Sequence, residues 1–470
     1  MKNAFNGNGL RREIGLFSAT ILVIANMVGT GIFTTSGFIM AELGDPRALL
    51  LCWFCGGIFA LCGALCYGEL GARFPRAGGE YVFLRESFGK PVGFLSGWIS
   101  LVVGFSAPIA AASIAFATYL FQAFSIPAGE GWVLSIFGRP LVTLTYVNLA
   151  ATGVIGLFTL IHYHSLRTGS RVQNLLTLFK VLLVFVFIAA GLYMGQGSFG
   201  HFRAAGAPGA PLSAEQFAVA LIFVSFAYSG WNAAAYLGSE IIDPRKNIPR
   251  ALFIGTALVV VLYLLLNVVY LFALPADEMT GVLEIGSKAA VRLFGGQVSA
   301  IFSGAVALGI LSVLSAMIMT GPRIYYAMAK DDVFFPIFGR LDPARKTPAS
   351  SIFLQAAIAV AMVLTASFEA LLIYIGFTLS LFACLTVIGL MRVRMRSGTE
   401  AKQYSTWGYP VTPLLFIVCN LWIILFSIKS RPSAALIGLG TIVAGIVAYT
   451  FFHHHRQKKR EMVLAGEVSE

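Results

Sequence analysis

Charge is scarce in this chain, and carboxylates are missing where membrane chemistry would need them. Of the 470 residues, 11% are charged and 58% are apolar. None of the 21 Asp and Glu falls deep in an apolar run: Glu42, Glu69, Glu240 and Glu369 lie near run ends, and the others lie in loops and tails. Proton pumps and intramembrane enzymes use buried carboxylates or histidines as relays, bases and ligands, so neither class is indicated. The histidines do not converge either. His162 and His164 flank a short polar connection, His201 sits in another, and His453, His454 and His455 open a basic tail. These read as solvated interfacial positions, and no metal site and no cofactor are expected.

Cysteine is absent from every connection expected on the outer side. Cys52, Cys55, Cys62 and Cys66 recur at about one-turn spacings in one apolar run without a nearby histidine. There cysteine acts as a small hydrophobe for close helix packing, a better reading than a zinc or redox C-x-x-C. Cys384 and Cys419 lie in other runs. No structural disulfide and no disulfide-linked partner subunit are expected. No stretch is long enough for a soluble domain, and no small-residue cleavage site follows the first run, which is therefore read as retained.

Long apolar runs are what the sequence has instead. Twelve are read, over 16–42, 46–71, 91–124, 143–163, 173–195, 214–240, 249–273, 296–327, 349–365, 369–396, 412–429 and 433–452. Each is about the length needed to cross a bilayer as a helix, which predicts an all-α polytopic membrane protein. Of the 33 Lys and Arg, 25 fall on one side of this topology, 7 on the other, and Lys180 lies within a span. By the positive-inside rule both termini are cytoplasmic, and the chain resides in the cell membrane. The net charge of +12 is then met by anionic lipid headgroups, and no nucleic-acid partner is needed.

Two spans are interrupted by small residues, at Gly29-Thr30-Gly31 in the first and Ser229-Gly230 in the sixth. A broken membrane helix exposes N–H and C=O groups that lipid cannot satisfy, so the break must line a cavity or hold a ligand. Breaks at corresponding places in two halves point to the site of a transporter built from inverted repeats. The half-helix after a break offers free N–H groups at its positive end, and the half before it offers free carbonyls. A ligand that carries both a carboxylate and an ammonium matches both without a charged side chain. The carboxylate is accordingly assigned to Gly29, Thr30 and Gly31, with neighbouring Val28, and the ammonium to carbonyls of Met27, Phe226 and Ser229, with neighbouring Ala227. Glu240, Asp243 and Arg245 are read as loop salt bridges and caps.

The run Asn26-Met27-Val28-Gly29-Thr30-Gly31-Ile32-Phe33 resembles the first-helix motif of the amino acid-polyamine-organocation superfamily. Also similar, in order, are GELGARFPRAGGEYVFLRESFG from Gly68, FAYSGWN from Phe226, EIIDPRKNIPRA from Glu240, TGPRIYYAMAKDD from Thr320, and the WGYP before the eleventh span. The set resembles the L-type amino acid transporter branch. That resemblance implies twelve helices in which the first five repeat, inverted, as the next five, the LeuT-like arrangement with helices 1 and 6 broken. The chain then divides into an N-terminal segment 1–15, repeats 16–196 and 214–396, two further spans over 412–452, and a tail 453–470.

It also implies Phe226 as an aromatic gate, with Trp231 and Asn232 behind the site. QNLLTLFK from Gln173 to Lys180 is similar to the start of the family's fifth helix, where a lysine faces the broken first helix. Lys180 is expected to bond carbonyls freed by that break, or a hydroxyl such as Ser315 or Ser312, in the place where sodium-coupled relatives hold Na⁺. The expectation is sodium-independent exchange of neutral L-amino acids by alternating access, with proton-coupled symport as the alternative. A channel lacks a polar stripe or filter sequence, and an enzyme lacks a convergent acid, base or nucleophile.

Overall fold

The computed structural model describes residues 10–127, 131–136, 139–203, 213–282, 284–365, 368–397, 404–430 and 432–464. Lys2, Lys402, Arg431 and the tail beyond Leu464 lie outside them. Seven helices are long and apolar enough to cross a membrane, and an eighth span forms if the bent pair Leu16–Met27 and Gly31–Leu43 counts as one. The shorter apolar helices Ala214–Tyr228, Ala349–Thr365, Val411–Phe426 and Leu436–Phe452 fall on the remaining runs. This is a mostly helical, multi-pass membrane protein.

Local sequence sets the helix starts. Asp45 accepts from the N–H groups of Arg47 and Ala48 with Pro46 at the first helical position of Pro46–Arg73, a preorganised N-terminus. Ser213 and Gln216 form a reciprocal capping box on Ala214–Tyr228. Small residues set the close approaches: a Cβ on Gly63 would lie 2.7 Å from the Trp231 ring. The cysteines behave as packing residues, all six free and all but Cys55 buried.

Four features depart from the span reading. A short helix, Glu80–Phe88, folds back against the bundle between Pro46–Arg73 and Lys90–Ile99, its first residues buried. Within the next span, Ser100–Ser106 is a π-helical turn, a geometry that widens a helix and recurs at functional positions. An antiparallel hairpin pairs Trp132–Ile136 with Arg139–Leu144, so the fold is not wholly helical. The last helix runs over Pro432–Leu464, beyond the span end expected at 452, because its Lys, Arg, Glu and Gln residues favour helix without being apolar.

Candidate functional site

The helix Leu16–Met27 stops after Met27, a second helix starts at Thr30, and the two halves are bent by 42°. No side chain caps the N-terminus of Thr30–Leu43, so its first N–H groups are without intrahelical partners. The helix Ala214–Tyr228 stops at Ser229, and Gly230 turns the chain with φ of +94°. Glycine is required at 230 on two counts: the positive φ, and a Cβ that would lie 2.9 Å from the backbone of Asn26. At Gly31 an added Cβ would lie 2.7 Å from Ala227 Cα. The two breaks therefore pack directly on one another. Tyr263 joins them, its hydroxyl 2.7 Å from the Met27 carbonyl and 3.2 Å from that of Ala227.

Around this junction lies a cavity of about 160 Å³. Met27, Gly29, Thr30, Gly31, Phe226, Ala227, Ser229, Trp231 and Asn232 all line it. The rest of the lining includes Ser100 and Gly104 of the π-helical turn, Val313 beside Gly29, and Ser380. Val28 is not among the lining residues; its carbonyl faces Lys180. Trp231 and Asn232, expected behind the site, reach the cavity itself, and Trp231 stands edge-on to Tyr67 at 4.6 Å.

Lys180 is 1% exposed, and its ammonium donates to the carbonyls of Ala25, at 3.2 Å, and Val28. A side chain reaching back to the interface is thereby excluded, and of the two expected partners the freed carbonyls are the ones found. Ser315 does not bond Lys180: its hydroxyl lies 2.8 Å from His162 Nε2, and Ser312 donates to the Gly309 carbonyl. His162 is thus no solvated interfacial residue. It is buried, on the inner face of Tyr146–His164.

A carboxyl group at the cavity is the residue that sequence reasoning missed. Glu80, the first residue of the folded-back helix, is 6% exposed and lines the cavity, the one Asp, Glu, Lys, Arg or His among the described lining residues. The Tyr67 hydroxyl donates to its Oε1 at 2.6 Å and the Asn232 amide at 2.9 Å. Burial lifts the carboxyl to about 7, although both hydrogen bonds pull it down. The motif RAGGEYVF held the only signal: the pair Gly78-Gly79, both at positive φ, turns the chain back so that a loop residue enters the bundle.

Arg323 donates twice to Glu240, at 2.9 and 2.8 Å, with both side chains 1% exposed. Glu240 is therefore in a salt bridge, as expected. Asp243, with φ of +45°, precedes Pro244–Ala273 without a side-chain capping bond. The N–H groups of Glu13 and Ile14 both donate to the Glu240 carbonyl, and the Ile242 N–H donates to Ile14. No group of three His, Cys, Asp or Glu suited to a metal ion occurs among the described residues.

The amino acid permease family model matches residues 14–451. The chain is 29% identical to the serine/threonine exchanger SteT of Bacillus subtilis over 94% of its own length and 97% of that protein's. It is 28% identical to the human large neutral amino acids transporter small subunit 2, covering 94% and 81%. It is also 28% identical to the mouse b(0,+)-type amino acid transporter 1, covering 95% and 89%. A broken-helix cavity lined by backbone groups and a match over nearly the whole chain lead to one conclusion: the protein belongs to the amino acid permease family of the amino acid-polyamine-organocation superfamily.

Proposed function

We propose that the protein exchanges neutral L-amino acids across the cell membrane by alternating access, without sodium. In this reading twelve spans are arranged as repeats 16–196 and 214–396 followed by 412–452, with both termini cytoplasmic. The observation that carries it is the apposition of two helix breaks around one cavity, Gly230 against Asn26 and Gly31 against Ala227. The N–H groups of Gly29, Thr30 and Gly31 at the start of the second half-helix take the substrate carboxylate, and the carbonyls of Met27, Phe226 and Ser229 take the ammonium. Phe226 closes over the bound molecule. The Lys180 ammonium at the first break supplies the fixed positive charge that makes a sodium ion unnecessary there. The small and apolar lining residues Gly104, Ile310, Val313 and Ile375 fit a neutral side chain, and the names of the relatives span serine, threonine and large neutral amino acids.

The test is uptake of labelled L-serine, L-threonine, L-leucine and L-phenylalanine into proteoliposomes, with and without the same unlabelled amino acid inside, in sodium and in choline buffer. Exchange requires strong stimulation by internal substrate and no change in choline. Proton symport is the second reading, favoured by a single observation, the Glu80 carboxyl at the cavity. It requires accumulation driven by an inward proton gradient alone.

A further inference from the structure

We propose that Glu80 is a proton-binding site that competes with the amino acid: the substrate's ammonium binds to the cavity when Glu80 is ionised, and a proton on Glu80 weakens that binding. The inference rests on the ammonium assignment above and gives that site its regulation.

The geometry supports it in three steps. Both donors to Glu80, Tyr67 and Asn232, end on Oε1, and no described residue donates to Oε2, so a proton has a free oxygen to occupy. Asn232 lies three residues after Ser229, in the same turn that breaks the helix, and its amide also reaches the Tyr236 hydroxyl at 3.2 Å. An ionised acceptor makes charge-assisted, shorter bonds than a neutral one. Ionised Glu80 therefore holds Asn232, and with it the carbonyls before Asn232, in the position that receives an ammonium. The negative charge at the cavity also attracts that ammonium directly, in surroundings far less screening than water. Protonation removes both effects at once.

Among the described residues, no cation neutralises Glu80 from the surrounding elements. On its own helix, Arg85 is held by Asp331 and Glu86. On Pro322–Lys330, Arg323 is bound to Glu240 and Lys330 lies over the Tyr326 ring. On Phe368–Ser397, Arg394 is bound to Glu69, Arg392 lies over the Phe88 ring, and Arg396 is exposed. On Pro46–Arg73, Arg73 pairs with Glu69, and Lys90 at the start of the next helix is exposed. The groups that face the network are phenols, Tyr67 and Tyr236, with Tyr325 beside Tyr236. Across the cavity, Lys180 is committed to Ala25 and Val28. The titration is therefore that of one carboxyl in a polar but uncharged pocket.

Proton and substrate oppose each other here, the reverse of symport, in which a proton strengthens substrate binding. By linkage the effect is reciprocal, so substrate binding near neutral pH releases a proton. The experiment measures equilibrium binding of the labelled amino acid to detergent-solubilised protein from pH 5.5 to 8.5, for wild type, Glu80→Gln and Glu80→Asp. Wild-type Kd is expected to fall about fivefold or more as pH rises through neutrality, the lower range of ordinary coupling between sites. Glu80→Gln should bind at all pH values as wild type does at the acid end, and Glu80→Asp should keep a pH dependence. A flat wild-type profile, tighter binding at low pH, or an unchanged slope in Glu80→Gln each overturns the proposal.

Infrared pH titration of wild type minus Glu80→Gln reads the protonated carboxyl band without any substrate. A band that titrates near neutrality establishes the proton site even if no exchange is seen, which separates failure of this inference from failure of the transport reading. Absence of the band across the range refutes the proton site.

Discussion

Lys180→Met tests whether the buried ammonium organises the first helix break or only fills space. The substitution keeps an unbranched stem, which matters because Lys180 Cγ and Cδ lie where a Cβ on Gly309 would be 3.4 Å away. Two opposing terms decide the fold. Removing a lysine from a span relieves about 3 kcal/mol on insertion scales. Leaving two buried carbonyls, Ala25 and Val28, without their donor costs about 1–3 kcal/mol each. The net lies between roughly −1 and +3 kcal/mol, so the variant inserts and folds with at most a modest loss of thermal stability. Transport responds differently, because the lost bonds sit at the break itself. Misplacing the N–H groups of Thr30–Leu43 by an equivalent of only about 1.4 kcal/mol is a tenfold loss of binding. Counterflow in proteoliposomes should therefore fall tenfold or more while the size-exclusion profile after heating stays near wild type. Wild-type counterflow by Lys180→Met would refute the coupling role, and a collapse of the folded peak would make the lysine structural. Lys180→Ala should also lose transport, with an added cavity penalty that makes it the less clean probe.

The two glycines of the first break should separate. Gly31→Ala drives a Cβ into the Ala227 backbone and should lower both thermal stability and binding, whereas Gly29→Ala meets nothing nearer than Val313 Cγ2 at 3.5 Å and should lower binding in a folded protein. Equal stability loss in both, by thermal shift, would contradict this. Phe226→Ala should reduce exchange at least severalfold with little change in melting temperature, since Phe226 lines the cavity and is only partly buried; unaltered uptake would remove its gate role. Arg323→Ala leaves Glu240 buried without its partner and should destabilise the fold by about 3–5 kcal/mol, seen as loss of monodisperse protein; a stable variant would show that the pair is dispensable.

Much of this was legible because hydropathy and small-residue breaks are local signals. Gly29-Thr30-Gly31 and Ser229-Gly230 announce interrupted helices from their own neighbours, and a lysine inside an apolar run requires a polar partner wherever the chain goes. The partner's identity was not legible. Ser315 and the freed carbonyls both suited Lys180, and only the rotation of Val298–Thr320, which turns Ser315 to His162, separates them. Glu80 and His162 escaped for a shared reason. Both lie beside polar connections, and a window average places such residues in water. Their burial comes from tertiary contacts, Glu80–Phe88 folding back and His162 facing a neighbouring helix. Tyr263 looked like any aromatic in an apolar run, since nothing in its sequence neighbourhood shows that its hydroxyl reaches two breaks.

The short ladder between Glu13–Ile14 and Glu240–Ile242 acts as a thermodynamic latch. Any motion that swings the N-terminal start of Leu16–Met27 away from the bundle must either break these three backbone bonds or carry the Glu240 segment along. At about 1 kcal/mol each, breaking all three lowers the population of the opened form by roughly a hundredfold. That handicap is one a bound substrate or a few altered residues can reverse. The resting balance of the molecule is thus set partly by residues outside the cavity, and changes at positions 13, 14 or 240–242 should alter how often this end of the bundle opens without touching the site itself.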